Sequence, residues 1–290
     1  MNFNHLRAFY SVATNKSFTL ACEELNVSQS TVSLQVQELE KHYNLTLLKR
    51  KKRPIELTDE GKIIFSYAKK IFHLVQEMEI FLHDLNTLHV ATVKIGSTPL
   101  LASYILPNFI WSLRKGNPRM KFQLYPGGSR QVLEKIISYE YHVGFIVRVP
   151  YPDHIIFKEI SKQKLYFITR DEFKNRIHLE DLKNYPIILR KTGSATRDYI
   201  TNEFRNKNIP LNNYVEADPS SIKSMVQLGM GGAFFPFYAI AEETEEKRFR
   251  CIEILDDLHV YIDAIYLAER RKTQTVKSVV SALNGHTFAF

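Results

Sequence analysis

Cysteine is almost missing from this 290-residue chain: Cys22 and Cys251 are the only two. They stand far apart, in segments that read as different domains, and suggest neither a disulfide framework nor a Cys-based metal site. No run approaches the roughly 18 uninterrupted apolar residues of a membrane span. The opening MNFNHLRAFY lacks the basic-then-apolar plan of a secretory signal, so a cytoplasmic protein without membrane contact is expected. A Walker phosphate loop, a Rossmann glycine fingerprint, a zinc-protease helix and a serine nucleophile elbow are all absent, and the 10 His are scattered. The expectation is a non-enzyme with no cofactor and no metal.

What the sequence does have is size and positive charge. At 290 residues and 44% hydrophobic, it exceeds one domain of usual size and holds enough apolar side chains for two cores. Its formal net charge of +8 suits a polyanionic partner, although basic surfaces also serve solubility alone. Up to residue 90, 11 Lys+Arg face 10 Asp+Glu, against 28 and 21 in the remainder. The first part is therefore not basic on average. Its cations crowd into Lys49, Arg50, Lys51, Lys52 and Arg53, a run that either contacts phosphates or forms a solvated loop.

Leu6, Phe9, Tyr10 and Ala13 fall on one face of a helix, and Asn15, Lys16 and Ser17 break it, with Ser17 placed to cap the next. A second helix over about 18–25 turns Leu20, Ala21 and Leu25 inward and ends at Asn26, which tolerates a left-handed turn. A third opens at Ser28. There Val32, Val36 and Leu39 recur at three and four residues, leaving Gln29, Ser30, Thr31, Ser33, Leu34 and Gln37 on the other side. Two short helices joined by a tight turn, the second polar outside, form a helix-turn-helix pattern that also occurs as an ordinary helix pair. The basic run that follows carries Pro54 at the tip of a short two-stranded wing, suited to gripping phosphates or the adjacent minor groove.

The segment SFTLACEELNVSQSTVSLQVQELEKHYNLTLLKRKKRPIELTDEG resembles the DNA-binding domain of LysR-type transcriptional regulators over its whole length. The resemblance implies an all-α winged helix over 1–58. It makes Gln29, Ser30 and Ser33 groove-facing, Ser17 and Thr19 phosphate contacts, and Arg50, Lys52 and Arg53 wing contacts on double-stranded promoter DNA. One departure concerns readout: the position after Ser33, usually Arg in this family, is Leu34. A leucine there shifts readout toward thymine methyls, or leaves Gln35 and the wing to compensate.

Thr58 is placed to cap a long helix whose first turn holds Asp59 and Glu60, acids favoured at the positive dipole end. Ile64, Ile71, Met78 and Leu85 stand seven apart, and Ala68, Val75 and Leu82 fill the intervening positions. This seam predicts a coiled-coil linker over 59–89 and a homodimer, the alternative being a long helix packed on its own domain. A dimer also suits two recognition helices spaced one turn of the duplex apart. The family resemblance adds further assembly into a homotetramer.

From residue 90 onward short apolar runs at 93–95, 122–125, 143–147, 155–160, 165–169, 187–190, 214–217, 233–235 and 260–267 alternate with helical stretches. The pattern predicts an α/β domain with a mostly parallel sheet. In such sheets ligands gather at strand ends, beside helix N-termini. Three junctions fit: Gly96-Ser97-Thr98-Pro99, Gly127-Gly128-Ser129 and Thr192-Gly193-Ser194-Ala195-Thr196. Any one is an ordinary helix cap; three together mark a site.

This region resembles the LysR-type effector domain, through Ile105-Leu106-Pro107, Arg190 to Arg197 and IKSMVQLGMGGAFFP at 222–236. The resemblance implies a two-lobed, periplasmic-binding-protein-like fold, lobe one over about 90–161 and 267–290, lobe two over about 162–266. It places Ser97, Thr98, Ser129, Arg148, Thr192 and Ser194 around a small-molecule effector. The local charge excess, with Arg148 just after a buried strand, favours an anion such as a carboxylate or oxyanion. Where the family often has an acid before the strand at 143, this chain has His142. The competing reading is a solute-binding or transferase-like module with an incidental basic N-terminus; the heptads count against it.

Overall fold

The computed structural model describes residues 1–49, 54–86, 92–211 and 214–288, in two compact units, Met1–His89 and Val90–Phe290. The first unit opens with α1 (Phe3–Asn15), α2 (Phe18–Leu25) and α3 (Gln29–Tyr43). Asn26 and Asn44 end α2 and α3 in the left-handed conformation, at φ 54° and 52°, which asparagine tolerates. Leu6, Phe9, Val12, Ala21, Val32, Val36 and Leu39 bury against one another. Leu20 does not join them and is half exposed. On a helix of eight residues Ala21 takes the inward line, and its predecessor sits about 100° away on the shoulder.

Strands β1 (Leu48–Lys49) and β2 (Glu56–Leu57) pair antiparallel as the base of the wing. The Leu47 and Leu48 amides donate to Glu40 Oε1 at 2.7 and 3.2 Å, fixing that base to α3. Thr58 then caps α4 (Asp59–Asn86), accepting from the Gly61 amide at 2.9 Å. Gly61 has to be glycine: a Cβ there would lie 2.1 Å from the Leu47 carbonyl oxygen.

In the second unit, lobe one is built on β3 (Thr92–Ser97), which lies parallel between β4 (Lys121–Pro126) and β5 (Val143–Val147). Helices α5 (Leu106–Gly116) and α6 (Ser129–Ile137) follow β3 and β4. All five residues of β5 are buried, as a strand covered on both faces requires. Next come the long β6 (Ile155–Thr169) and, in lobe two, β7 (Arg176–Ile177), β8 (Ile187–Arg190), α7 (Ala195–Asn206), β9 (Tyr214–Ala217) and α8 (Pro219–Gln227). The chain continues through β10 (Ala233–Pro236), α9 (Ala241–Glu245), β11 (Arg250–Ile254) and β12 (His259–Leu267), and α10 (Gln274–Gly285) returns to pack on lobe one.

The sheet is mixed rather than mostly parallel. Strands β6 and β12 carry the chain out of lobe one and back, so they run in opposite directions; all of β12 pairs antiparallel with residues 155–164 of β6, whose remaining residues pair with β10 and β11. Ser161, Lys162, Gln163 and Lys164 bridge the two apolar runs of β6 into one strand, because each pairs with a residue of β12 between His259 and Ile262. The register of β12 slips between Ile262 and Asp263, and from Asp263 onward it pairs within lobe one. The return crossing therefore falls before the 266/267 boundary suggested by sequence.

Candidate DNA-contact surface and interlobe site

Helix α3 presents Gln29, Ser30, Leu34 and Gln37 to solvent, with Thr31 and Ser33 half-buried beside them. Ser28 caps the helix: its Oγ accepts from the Thr31 amide at 3.2 Å and lies 2.8 Å from both the Ser30 and Thr31 hydroxyls. That network holds the first turn in one conformation. Ser17 caps α2 by accepting from the Leu20 amide at 3.4 Å, and Thr19 is exposed beside it. Arg50, Lys52 and Arg53 were assigned to the wing contact; Arg50 and Lys52 lie outside the described residues, as does the structure of Arg53.

Along α4 the partner-facing seam differs from the sequence expectation. Ala68 has 0% exposure and belongs to the core of its own unit, where Ile64, Phe65 and Phe72 also pack. Tyr10 of α1 stacks on Phe65 and Phe72, so this side of the helix is already covered. Ile71, Met78 and Leu82 are exposed as expected of a seam, and Tyr67 and Leu74 are exposed in line with them. Val75 is half-buried, and the side chain of Leu85 lies outside the described residues.

In the second unit the three small-residue junctions converge. The Gly127 amide donates to the Ser97 carbonyl at 2.8 Å, and the Thr98 amide to the Phe145 carbonyl at 3.1 Å, joining the ends of β3, β4 and β5. The third junction belongs to lobe two, and a Cβ on Gly128 would lie 2.6 Å from the Gly193 carbonyl oxygen. Arg130 Nη2 meets Asp198 Oδ2 at 3.0 Å across the same gap. Ser97, Thr98 and Ser129 are buried polar residues. Ser194 caps α7, accepting from the Arg197 amide at 3.4 Å, and exposed Thr192 accepts from the Arg197 guanidinium.

Arg148 is not at this convergence. Its Nε and Nη2 each lie 2.7 Å from an oxygen of Asp263, which has 0% exposure, and Nη2 also reaches Glu159 Oε2 at 2.6 Å. Tyr151 donates to the same Asp263 carboxylate at 2.8 Å. Two carboxylates thus neutralise Arg148 at the register slip where the chain crosses between lobes. Arg148 ties β5 to β6 and β12, and it is already paired rather than left open for an effector.

Residues 3–62 match the family described as bacterial regulatory helix-turn-helix protein, lysR family, and residues 87–287 match the LysR substrate binding domain. The chain belongs to the LysR family. A probable RuBisCO transcriptional regulator of Trieres chinensis is 28% identical over 275 residues, covering 87% of this chain and 85% of its own. A full-length OxyR variant from Pseudomonas aeruginosa superposes with a TM-score of 0.75 at 20% identity, over 98% of this chain and 95% of that one. CbnR, solved full-length with its target DNA, gives 0.69 at 21% identity over 98% and 99%.

This LysR-type chain is accordingly a transcriptional regulator with a substrate-binding domain, and its relatives are regulators rather than enzymes. The reading as a solute-binding or transferase-like module falls with that finding. None of its described helices is long and apolar enough to cross a membrane, and no metal-holding cluster occurs among the described residues. Burial pushes the Cys251 thiol up to about 11, well away from a reactive thiolate at neutral pH.

At the candidate interlobe site, sequence reasoning assigned no site role to Arg190 or Tyr238, and Thr196 entered only as part of the third junction. Arg190 ends β8 with its guanidinium carbon 5.2 Å from the Phe235 ring centre and Nη1 3.4 Å from Thr196 Oγ1. Burial pushes its pKa down to about 10, so it stays a cation at neutral pH. Its signal in the sequence was an arginine closing the otherwise apolar run Ile187-Ile188-Leu189, a costly place for a charge.

Proposed function

We propose that this chain is a cytoplasmic, sequence-specific regulator of transcription that dimerises through α4 and whose hold on promoter DNA is set by a small anionic effector bound between the lobes of residues 90–290. Residues 1–58 dock as a winged helix-turn-helix. Gln29, Ser30, Ser33, Leu34 and Gln37 enter the major groove, Ser17 and Thr19 take phosphates, and the wing cations grip the backbone. Ile71, Leu74, Met78 and Leu82 supply the seam, and dimers assemble further into tetramers.

The effector half of this reading rests on one observation. Ser129 Oγ is sealed from solvent and has no hydrogen-bond partner among the described residues, at the place where Gly128 of one lobe abuts Gly193 of the other. Buried hydroxyls are almost always satisfied, and a ligand between the lobes would satisfy this one.

Gel shift of the full chain against fragments selected from a random DNA pool, across a salt series from low to roughly physiological strength, tests the DNA half. Affinity should fall about a thousandfold or more. Flat affinity, or no protected footprint, would sink the reading.

A further inference from the structure

Among the described residues, most cations near the lobe junction are neutralised. Arg130 pairs with Asp198, Lys191 with Asp218, Arg197 with Glu216, and Lys223 with Glu243. Arg148 pairs with Asp263 and Glu159. Arg190 has no acidic partner among the described residues, and its Nε and Nη2 are both sealed from solvent without a hydrogen bond. These two nitrogens form one edge of the guanidinium, with parallel N–H groups spaced to take two oxygens of one anion. The same edge of Arg148 grips both oxygens of Asp263, at 2.7 and 2.7 Å. In Arg190 that edge is unused. A buried charge with no partner is strongly disfavoured, and the Phe235 ring and one long contact to Thr196 offset it only in part.

The position of Arg190 points toward the lobe boundary. Ile188, two residues earlier, packs in one cluster with Phe235 and with Leu100, which immediately follows the Ser97–Pro99 junction of lobe one. Tyr238, packed against the same cluster, also packs on the core of lobe one and lies edge-on to Tyr104 of that lobe, 6.5 Å between ring centres. Gly193, three residues after Arg190, abuts Gly128, and the residue after Gly128 is the unpartnered Ser129. Two sealed, unsatisfied polar groups, one cationic and one a hydroxyl, thus stand on facing lobes.

We infer that the Nε–Nη2 edge of Arg190, together with the Ser129 hydroxyl, is the subsite for an effector group carrying two geminal oxygens and a negative charge, a carboxylate or a tetrahedral oxyanion. The inference rests on the interlobe effector reading and adds the residue and the two-oxygen geometry of the group it takes. Binding an anion there neutralises Arg190 and ties lobe two to lobe one, so the ligand stabilises the closed arrangement by mass action.

Thermal shift and titration calorimetry of the full chain test it. The probes are small mono- and dicarboxylates, inorganic sulfate and phosphate, and neutral amide counterparts of the acids, on wild type, Arg190→Lys and Arg190→Met. At least one anion should stabilise the wild type, while its neutral counterpart does not. Carboxylates alone, or sulfate and phosphate alone, then identify the group. Arg190→Lys, which keeps charge but not the fork, should bind at least tenfold more weakly, and Arg190→Met not measurably. Without ligand, Arg190→Met should melt no lower than wild type, because a stranded cation has been removed. A lower melting point would make Arg190 a structural prop and overturn the subsite. So would anion binding that persists in Arg190→Met, which leaves the effector reading standing. No response of the wild type to any anion overturns the subsite, and a neutral ligand lost on Ser129→Ala would still support an interlobe effector.

Discussion

Leu34, 58% exposed on the outer face of α3, stands in the proposed DNA-contact surface at the position where the family resemblance leads one to expect Arg. An apolar side chain there offers contact to a thymine methyl but no phosphate or guanine hydrogen bond. Leu34→Arg should therefore raise affinity for many sequences and steepen the dependence of log affinity on log salt by about one unit. An unchanged slope in the salt series would place residue 34 away from the duplex. The two arginines of the second unit show what one sequence hides at this scale. Arg148 and Arg190 stand at the ends of buried strands in almost the same context. They differ because Asp263, 115 residues downstream of Arg148, lies against one and no acid among the described residues lies against the other. Pairing over that separation is set by topology, which composition and spacing do not encode. Arg148→Ala should leave the Asp263 carboxylate buried with only Tyr151 beside it and cost about 3 kcal/mol of stability, read by urea melts of the full chain.

Elements were legible where short-range chemistry decides them. Ser17, Asn26, Ser28 and Thr58 mark helix ends in the sequence and hold those ends in the structure, because capping is a contact between near neighbours. Strand β7 went unseen, and so did β11. The first is two residues long, and the second is a short segment whose alternation of Ile252 and Ile254 with Glu253 spans only five residues between charged turns. The heptad seam was partly legible. Seven-residue spacing located the apolar positions of α4, but Ala68 was assigned to a partner although α1 covers it. A small residue serves equally well in either place, and only the packed neighbour tells them apart. The exposed line through Tyr67, Ile71, Leu74, Met78 and Leu82 advances by four, three, four and four residues, along one side of the helix, and is the surface available to a second copy. Met78→Lys should shift the full chain from dimer toward monomer at micromolar concentration in sedimentation equilibrium. Ala68→Ser should lower stability without altering the association constant.

On the scale of the whole second unit, two lobes joined by two antiparallel strands touch at small residues. The described ties across the cleft include the exposed Arg130–Asp198 pair and the Lys223 ammonium, which reaches Tyr104 Oη at 2.7 Å. Exposed ion pairs are worth roughly 0–1 kcal/mol each, so the Arg130–Asp198 pair adds little beside the buried Lys223 contact and the packing of Leu100 and Tyr238. Gly128 and Gly193 set how near the lobes come, because any side chain at 128 would press on the Gly193 carbonyl 2.6 Å away. Gly128→Val keeps every cation and hydroxyl of the site but holds the lobes apart. It should weaken anion binding at least tenfold in calorimetry while leaving effector-free affinity for operator DNA unchanged. By linkage, the effector's influence on DNA affinity should shrink by the same factor as the influence of DNA on effector affinity. Loss of effector-free DNA binding in this variant would mean that the contact between Gly128 and Gly193 supports the folded unit, not the closure of its lobes.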